Sequence, residues 1–501
     1  MTHDLDLAVP RSGAASPVLG DAAANAGATT LYAALARAAS MKPEQPAVVS
    51  TRFAPLDYRR LHQLIDETRL QLRQAGFGRD ARIGIMLPEA PQAAVAIVAI
   101  ACAAVAVPID PRLGPAELDQ FLQQLPLDAL LIGSDSEQGQ RAAERHGLAL
   151  IKAEPAEDGT PALLLDMPGA AQPAADELPL PDAPAFILRS SGTTALPKLI
   201  PFSHRNMLTA ARKWQRWFGL DGGDRCLCVS APYYSHGLKV TILTPLLAGG
   251  SVAFPLSPAV VDLHEWFDAL RPTWYSAGPA LHRAVLEAAT TYPEGLGAHR
   301  PRFASSGGAP LGQDIIDAFE QAMGFPLLEH YGSSEAAQIA VNTPAERKNG
   351  SVGRPWPETL SIVDEDGLPV PTGQRGEIRV RGATVMPGYL GDPALNDMLR
   401  EGWFHTGDLA YYDEGWYFFI VDRLKDMFIS GGENVYPAEI EAVLYKHPTV
   451  HMCAVVGVPD PKWGEVGLAC VVLKPGATAT AEELIAFMQD NLTRYKAPKR
   501  V

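Results

Sequence analysis

The 501-residue sequence lacks the features that mark several common classes of protein. Its five cysteines form no C-x-x-C pair and no regular framework, which favours a reduced, cytosolic compartment over a disulfide-bonded one. Basic residues are comparatively few, with 42 Lys and Arg against 57 Asp and Glu and a net charge of −15. This balance argues against nucleic-acid binding, and it requires any phosphate site to be a local feature.

A secretory signal and a long apolar run are also lacking. The first residues are acidic where a signal peptide would be basic. The most apolar segment, residues 93–107, is mostly alanine and ends at Pro108. It therefore predicts a buried helix that runs into a strand rather than a membrane span. Residues 1–28 are rich in Ala, Gly and Ser without periodicity, and we expect a flexible leader there.

No familiar nucleotide-binding loop is present either. Residues 189–204, RSSGTTALPKLIPFSH, contain several hydroxyl side chains, one glycine and a lysine. Pro197 and Leu199 stand where a Walker loop needs a glycine and a hydroxyl, and a Rossmann fingerprint needs more glycines than Gly192 alone. The chain has no G-x-S-x-G elbow, which argues against a serine hydrolase.

What is present is the composition of a multidomain globular protein. Hydrophobic residues make up 47% of the chain and the mean hydropathy is −0.01, which is enough for a large core. Helical and strand-like segments alternate from Thr30 onward, which predicts an α/β fold with mostly parallel sheets sandwiched by helices. From Ser351, short alternating strands around turn residues predict a β-rich part.

The predicted division has two domains after the leader. Residues 29–421 form a large N-terminal domain whose β-rich part covers about 351–421, and residues 422–501 form a small α+β domain. The Ala/Pro-rich residues 155–184 are predicted to be a linker within the large domain.

The stretch at 189–204 has the chemistry of an anion site. It follows a predicted strand at residues 185–188, and ligands bind at the carboxyl edge of such sheets. Backbone N–H groups around Gly192 can form an anion nest, and Lys198 adds a full positive charge. The stretch by itself is equally compatible with a solvated Ser/Thr turn and a surface lysine.

Four further motifs decide between these interpretations. They are SSGGAPL (305–311), EHYGSSEA (329–336), WFHTGDLAYYDEGWYFFIVDRLKD (403–426) and ISGGENVYPAEIE (429–441). Together with the stretch at 189–204, this ordered series resembles the adenylate-forming superfamily, the AMP-binding enzymes that include the acyl-CoA synthetases. The resemblance covers about residues 30–501, and it looks most like the oxalyl-CoA and short- or medium-chain acyl-CoA synthetase branch.

The resemblance implies a reaction and its cofactors. The family activates a carboxylic acid with ATP as acyl-AMP, releases pyrophosphate, and transfers the acyl group to a thiol. ATP, Mg²⁺ and coenzyme A are the implied cofactors, with the phosphopantetheine of a carrier protein as the alternative thiol. A small carboxylic acid is the implied substrate, with a cytoplasmic location and neither a nucleic-acid partner nor a membrane span.

The resemblance also assigns roles at the nucleotide. Lys198, His236, Glu335 and Arg423 are the implied catalytic residues, and Glu335 and Thr193 are the implied Mg²⁺ ligands. Asp408 would accept hydrogen bonds from the ribose hydroxyls, and Tyr331 would stack on the adenine. The full implied nucleotide set is Ser190, Ser191, Gly192, Thr193, Thr194, Lys198, Gly307, Gly308, Ala309, Tyr331, Gly332, Ser334, Asp408 and Arg423.

The acid site follows from the same motifs. The implied substrate-binding residues are His236, Lys239, Gly278, Ser306 and His282. His282, Arg283 and Lys239 are candidates for a second substrate carboxylate, although each is also compatible with a position on a helix surface. Residues 233–235 lack the aspartate with which amino-acid-activating relatives bind an ammonium group, so an α-amino acid substrate is disfavoured.

The small domain is implied to be a mobile lid. Lys425 matches the hinge position, and Gly431 and Gly432 match the pantetheine tunnel. The family's adenylation lysine follows a segment that begins as NLTRYKAPKR, and this sequence stops at Val501 just after it. We therefore expect an incomplete lid and impaired adenylation.

Two alternative functions remain open at this point. A loading domain would pass the acyl group to a carrier protein instead of coenzyme A. A pseudoenzyme would bind the nucleotide without catalysis and act in regulation.

Overall fold

The computed structural model describes residues 27–169, 172–190, 197–258, 261–356, 359–391, 393–430, 433–493 and 495–501. All but the last two residues of the predicted leader therefore lie outside the described residues. So do residues 191–196 of the loop at 189–204. Gly431 and Gly432 lie outside them too.

The first half of the described chain alternates strands with helices. Its strands are β1 (Pro46–Ser50), β2 (Leu56–Asp57), β3 (Arg82–Met86), β4 (Val105–Pro108), β5 (Ala129–Gly133), β6 (Ala149–Pro155), β7 (Leu163–Asp166), β8 (Pro184–Arg189), β9 (Leu199–Ser203), β10 (Arg225–Leu227) and β11 (Ser251–Phe254). Its α-helices are α1 (Leu31–Met41), α2 (Tyr58–Gln74), α3 (Ala90–Ala101), α4 (Pro115–Gln124), α5 (Glu137–His146), α6 (His204–Phe218) and α7 (Thr244–Leu247). Two π-helical segments cover Gly237–Leu243 and His264–Ala269.

The second half becomes richer in strands. Its strands are β12 (Trp274–Ala277), β13 (Phe303–Ser306), β14 (Leu327–Ser333), β15 (Ala337–Val341), β16 (Arg354–Pro355), β17 (Leu360–Val363), β18 (Gly376–Val380), β19 (Leu399–Arg400), β20 (Trp403–Tyr412), β21 (Phe418–Arg423), β22 (Phe428–Ser430), β23 (Glu433–Val435), β24 (Val450–Asp460) and β25 (Gly464–Leu473). Its α-helices are α8 (Pro279–Thr291), α9 (Gln313–Met323), α10 (Pro437–Leu444) and α11 (Ala481–Asn491), with 3₁₀ turns at Pro293–Gly295 and Pro393–Met398.

Two large sheets with parallel centres form most of the molecule. One has the order β7-β6-β5-β3-β4-β8-β9 and is antiparallel only at its edges. The other has the order β16-β15-β14-β13-β12-β10-β11-β1-β2 and is parallel from β1 to β14. The predicted α/β class is confirmed, because helices cover these sheets and supply much of the core.

The alanine-rich segment behaves as predicted. It forms α3, in which eleven of the twelve residues are buried, and the chain then enters β4. Small side chains all round this helix let it pack closely on several neighbours at once. Within the described part of the chain, no helix combines the length and apolarity needed to cross a membrane.

Two smaller antiparallel sheets follow, as the β-rich and α+β predictions require. Strands β17 to β21 form a five-stranded antiparallel sheet in which β20 pairs with β18, β19 and β21; this sheet is called the meander below, although β18 and β19 are not neighbours in it. Strands β22 to β25 form a four-stranded sheet packed on α10 and α11. One local prediction is wrong: the supposed linker contains β7, which pairs with β6 at the sheet edge. Polar and proline-rich flanks hid this four-residue strand in the sequence.

Candidate active site

The predicted phosphate loop connects two antiparallel strands, β8 and β9. Arg189 of β8 lies opposite Leu199 of β9. The Ser190 N–H donates to the Lys198 carbonyl over 2.8 Å, and the Lys198 N–H donates to the Ser190 Oγ over 3.0 Å. These two bonds fix where the loop leaves and re-enters the sheet.

The loop's central residues lie outside the described part of the chain. Four of them were assigned to the nucleotide, namely Ser191, Gly192, Thr193 and Thr194, and Thr193 was also assigned to Mg²⁺. The roles of all four stay predictions.

Lys198 and Glu335 lie on either side of one tyrosine. The Lys198 Nζ is 4.6 Å from the centroid of the Tyr389 ring, and the Tyr389 hydroxyl donates to Glu335 Oε1 over 2.8 Å. The Met386 N–H also donates to the Glu335 carbonyl over 2.7 Å. Burial, with the Glu335 charge, raises the pKa of Tyr389, so this phenol stays a donor. A cation and a carboxylate are thus held together beside the phosphate loop.

This donor set fits a magnesium ion that is bound together with phosphates. Mg²⁺ prefers oxygen ligands, keeps several waters, and is commonly held by one or two carboxylates plus substrate phosphates. The described residues contain no cluster of three or more His, Cys, Asp or Glu side chains that could hold a metal by itself. Glu335 is therefore suited to be a single protein ligand to such an ion.

Asp408 lies within β20, opposite the last residue of β21. It is 8% exposed, and its Oδ2 accepts a short hydrogen bond from the Tyr331 hydroxyl. Its Oδ1 lies 3.2 Å from the Nε of Arg423, its partner across the strand pair. Burial raises the pKa of Asp408, whereas the Tyr331 hydrogen bond and the Arg423 charge lower it. The structure thus brings together three residues that the sequence had assigned to the nucleotide.

The predicted glycines make close backbone contacts. A Cβ on Gly307 would lie 2.2 Å from the His330 Nε2, and a Cβ on Gly332 would lie 2.5 Å from the Ala337 carbonyl oxygen. Gly308 has a φ of +89°, a conformation open mainly to glycine. Ala309, next in the chain, is exposed. Packing within the protein therefore requires glycine at Gly307 and Gly332, whereas Gly308 borders open space, and the adenine contacts of these residues stay predictions.

His236 lies immediately before the first π-helix. Its ring stacks on the His330 ring with centroids 5.8 Å apart and an interplanar angle of 11°. Burial lowers the pKa of His236, and its Nε2 has no hydrogen-bond partner among the described residues. The imidazole is thus neutral at pH 7 and keeps one nitrogen available for a ligand.

His330 and His282 both contact Ser305, one through its side chain and the other through its backbone carbonyl. The His330 Nδ1 lies 2.7 Å from the Ser305 Oγ, and the His282 Nε2 lies 3.2 Å from the Ser305 carbonyl oxygen. The other His282 nitrogen lies 3.2 Å from the Tyr275 hydroxyl. Burial lowers the pKa of His282 to about 4 and that of His330 to about 3. His282, predicted to contact substrate, has both nitrogens bound within the protein here. The sequence reasoning did not select His330, although it lies within the EHYGSSEA motif.

Lys239 is bound to the backbone of the Glu335 turn. Its Nζ donates to the Ser334 carbonyl over 2.7 Å and lies 3.2 Å from the centroid of the Phe202 ring. Burial lowers the pKa of Lys239 well below 10.5, and the Glu335 charge acts in the opposite direction. The remaining predicted substrate residues lie at strand ends: Gly278 begins α8 after β12, and the buried Ser306 ends β13.

The lid contacts the large domain through charged and aromatic groups. Glu439 of α10 pairs with Arg375 of the meander over 2.7 Å and with Lys496 of its own domain. The guanidinium carbon of Arg283, predicted to face substrate, lies 5.7 Å from the ring centroid of Tyr445 in the lid. Lys425, the predicted hinge, is exposed in the turn between β21 and β22.

Two protein-family models match this chain, one for each of two domains. The profile described as "AMP-binding enzyme" matches residues 35–390, and that of the "AMP-binding enzyme C-terminal domain" matches residues 439–501. Among curated relatives, an oxalate–CoA ligase of Arabidopsis thaliana is 31% identical over 94% of both chains. A feruloyl-CoA synthase of Amycolatopsis is 34% identical over 93% of both chains.

Solved structures give the same picture. ATP-bound MatB from Rhodopseudomonas palustris is 28% identical with a TM-score of 0.82, over 94% of both chains. The o-succinylbenzoate CoA synthetase of Bacillus subtilis, in complex with its acyl-adenylate intermediate, is 26% identical with a TM-score of 0.79. That match covers 94% of this chain and 93% of the synthetase.

Proposed function

The chain belongs to the family of AMP-binding enzymes, and from this premise we propose which residues and which acceptor serve its ligase reaction. It is an ATP-dependent acid–CoA ligase that forms an acyl-AMP, releases pyrophosphate and passes the acyl group to coenzyme A. Relatives named as CoA ligases and a structural neighbour that holds an acyl-adenylate support this reaction. The observation that supports the assignment of residues is that Asp408 contacts both Tyr331 and Arg423, while the charge of Glu335, which shares Tyr389 with Lys198, also acts on the pKa of Asp408.

The nucleotide end of the reaction is assigned as follows. Asp408 accepts hydrogen bonds from the ribose hydroxyls, because a buried carboxylate offers two strong acceptor oxygens at a fixed position. Lys198 binds the outer phosphates, and Glu335 is the protein ligand of Mg²⁺. Bound magnesium would neutralise phosphate charge and so favour departure of pyrophosphate.

The acid end uses neutral and cationic donors. The substrate carboxylate attacks the α-phosphate, and negative charge accumulates on the phosphate oxygens in the transition state. Arg423 is the mobile cation for this charge, because its side chain is largely exposed while its Nε is anchored to Asp408. His236 lies at the acid and contacts it through Nε2, the nitrogen that has no hydrogen-bond partner among the described residues.

We expect the 501-residue chain to adenylate its acid. The earlier expectation of impaired adenylation has no support, because the alignment covers 94% of this chain and 94% of the oxalate–CoA ligase. The carrier protein predicted as an alternative acceptor has no support from the relatives either, since those described above are named as CoA ligases and synthases. Coenzyme A is therefore the proposed thiol.

The test measures pyrophosphate release and thioester formation across a panel of carboxylic acids. ATP, Mg²⁺ and acid should release pyrophosphate, and addition of coenzyme A should convert the acyl-AMP into acyl-CoA. A phosphopantetheinylated carrier protein in place of coenzyme A separates the two acceptors. ATP binding without pyrophosphate release from any acid would contradict the proposal and favour the pseudoenzyme.

A further inference from the structure

Several buried polar atoms near His330 have no hydrogen-bond partner among the described residues. They are the Nε1 of Trp214, the Nε2 of His236, the Oγ of Ser306 and the Oε1 of Gln338. Trp214, Ser306 and Gln338 are each no more than 8% exposed. Native proteins satisfy the large majority of such atoms, so a group of them near one residue needs an explanation.

Packing and strand register place these side chains around His330. The Trp214 ring lies 5.6 Å from the His330 ring, edge to face, and the His236 ring lies 5.8 Å from it on another side. Ser306 precedes Gly307, whose Cα borders the His330 Nε2 so closely that no Cβ would fit. Trp214 and His236 therefore contact His330 directly, and Ser306 lies next to the glycine that borders the His330 ring.

A β-bulge brings Gln338 to the same face. His330 pairs with Val341, but the register then shifts, so that Gly332 pairs with Gln338 instead of Ile339. Alternate residues of a strand share a face, and directly paired residues share it too. Gln338 therefore projects on the same side of the sheet as His330.

The chemistry of these atoms selects for an uncharged polar group. The Trp214 Nε1 can only donate and the Gln338 Oε1 can only accept, whereas His236 and Ser306 can each do either. A hydroxyl group both donates and accepts, so it can satisfy both kinds of atom. A second carboxylate accepts only, and would leave the Gln338 oxygen without a donor.

The charges of the neighbouring side chains also favour an uncharged polar group over a second carboxylate. Burial keeps His236, His282 and His330 neutral at pH 7, so none of them offers a positive charge. The Lys239 Nζ is nearby in sequence, but it donates to the Ser334 carbonyl and lies against the Phe202 ring. A buried second anion would have no partner of opposite sign in this group of residues, and burying an unpaired charge is costly.

We infer that the acid binds beside His330, in what we call the acyl pocket, and that it is a hydroxy acid whose hydroxyl group is recognised by Ser306, Gln338 and Trp214. This inference rests on the proposed ligase function and names its class of substrate. Sites that are built to bind a hydroxyl reject the analogue that lacks it far more strongly than apolar pockets distinguish size.

The test uses matched acids that differ in one group. Propanoate, 3-hydroxypropanoate and malonate form one series; butanoate, 3-hydroxybutanoate and succinate form a second; and cinnamate with 4-hydroxycinnamate forms an aromatic pair. In whichever series is accepted best, kcat/KM for the hydroxy acid should exceed that for the unsubstituted acid, and for the diacid where one is included, by about 100-fold. A preference for the unsubstituted acid or for the diacid would overturn the inference and leave the ligase function standing. No pyrophosphate release from any acid would instead overturn the function itself.

Substitutions distinguish recognition from a structural role. Ser306→Ala and Gln338→Met should each reduce the ratio of kcat/KM for the hydroxy acid to kcat/KM for the unsubstituted acid by about 10-fold. Their melting temperatures without ligand should stay the same or rise, because each removes a buried polar atom that has no partner. Ser276→Ala is the matched control, since its buried hydroxyl already donates to the Ser305 carbonyl over 3.2 Å. A lower melting temperature for the two pocket variants with an unchanged acid preference would overturn the inference.

Discussion

Asp408 illustrates how one residue acquires its role from its neighbours. In the sequence it is one of 57 acidic residues, and the HTGD motif alone gives it significance. In the structure it is buried, and Tyr331 and Arg423 each hold one of its oxygens. A surface carboxylate would exchange its partners with water, whereas this one is fixed before any ligand arrives.

Asp408→Asn should weaken ATP binding. The amide keeps the shape of the side chain but replaces one acceptor oxygen with a donor, which loses a charge-assisted hydrogen bond to the ribose. Such bonds contribute about 1.5–3 kcal/mol, so the Kd for ATP should rise roughly 10- to 150-fold in a calorimetric titration. Asp413→Asn, at an exposed turn between the same two strands, is the control and should leave the Kd unchanged. An unaltered Kd for Asp408→Asn would remove Asp408 from the nucleotide site.

The buried histidines also act at the scale of single residues, because they affect stability as the pH changes. His282 and His330 have pKa values lowered by burial to about 4 and about 3, against 6.5 in the unfolded chain. Below pH 6.5 the unfolded chain therefore binds protons that the folded chain does not. The contribution of the neutral histidines to the free energy of unfolding is therefore complete above pH 6.5, and it is lost as the pH falls towards 4.

His330→Gln should flatten this loss of stability. Each such histidine lowers the free energy of unfolding by about 1.4 kcal/mol per pH unit in this window, so the variant should lose one such increment from its slope between pH 5.5 and 4.5. Denaturant titrations at several pH values measure the slope. His264→Asn is the control, since the His264 side chain is 75% exposed. Equal slopes for the wild type and the His330 variant would contradict the pKa direction given above.

At the scale of elements, the π-helix at Gly237–Leu243 decides where Lys239 points. Its wider turn places the Lys239 stem against Phe202 and its Nζ on the Ser334 carbonyl, one residue before Glu335. π-helical turns occur frequently at functional sites. The segment thus fixes the turn that carries the proposed magnesium ligand.

Lys239→Met should disturb that turn while keeping the apolar stem. The Ser334 carbonyl would lose its buried donor, at a cost of about 1–3 kcal/mol in the free energy of unfolding. The KM for Mg-ATP should rise while the KM for the acid changes little, and steady-state kinetics separate the two. Lys213→Met, at another buried lysine with a pKa lowered to about 8, is the matched control. Equal effects of the two substitutions on the KM for Mg-ATP would argue against a specific role for Lys239.

At the scale of the whole molecule, the proposed nucleotide residues lie next to the start of the small C-terminal sheet. Arg423 ends β21 in the meander, and the exposed turn that follows leads into the lid sheet. Glu439 holds the two parts together through Arg375 on one side and Lys496 on the other. The predicted movement of the lid would have to break the pair between Glu439 and Arg375.

Lys425→Pro tests the predicted hinge. Proline fixes φ near −65°, so a turn that has to change its dihedral angles can no longer do so. One half-reaction should slow by at least about 10-fold relative to the other, as measured by separate assays of pyrophosphate release and of acyl transfer from preformed acyl-AMP. Glu365→Pro, in an exposed turn of the meander, is the control and should affect neither step selectively. If both half-reactions keep their rates in Lys425→Pro, the hinge lies elsewhere.

Much of the molecule follows from the sequence alone. Alternating strand and helix patterns gave the α/β class, the β-rich part and the small α+β part, since periodicity depends on local burial. The ordered motifs predicted nucleotide roles for Tyr331, Glu335, Asp408 and Arg423, and in the structure Asp408 contacts both Tyr331 and Arg423. The short strand β7 was missed, because four residues in a proline-rich segment carry too weak a signal.

The proposed acyl pocket could not be predicted from the sequence. Gln338 and Trp214 lie outside the motifs that carry the resemblance, and His330 lies within EHYGSSEA, but no pattern links the three residues to one another. A one-residue register shift between β14 and β15 turns Gln338 towards His330, and helix packing brings Trp214 against the same ring. The sequence by itself determined the family and the nucleotide chemistry, because these depend on residue types in a fixed order. Only the tertiary structure decided which polar atoms are buried without partners, because burial is a property of the packed molecule.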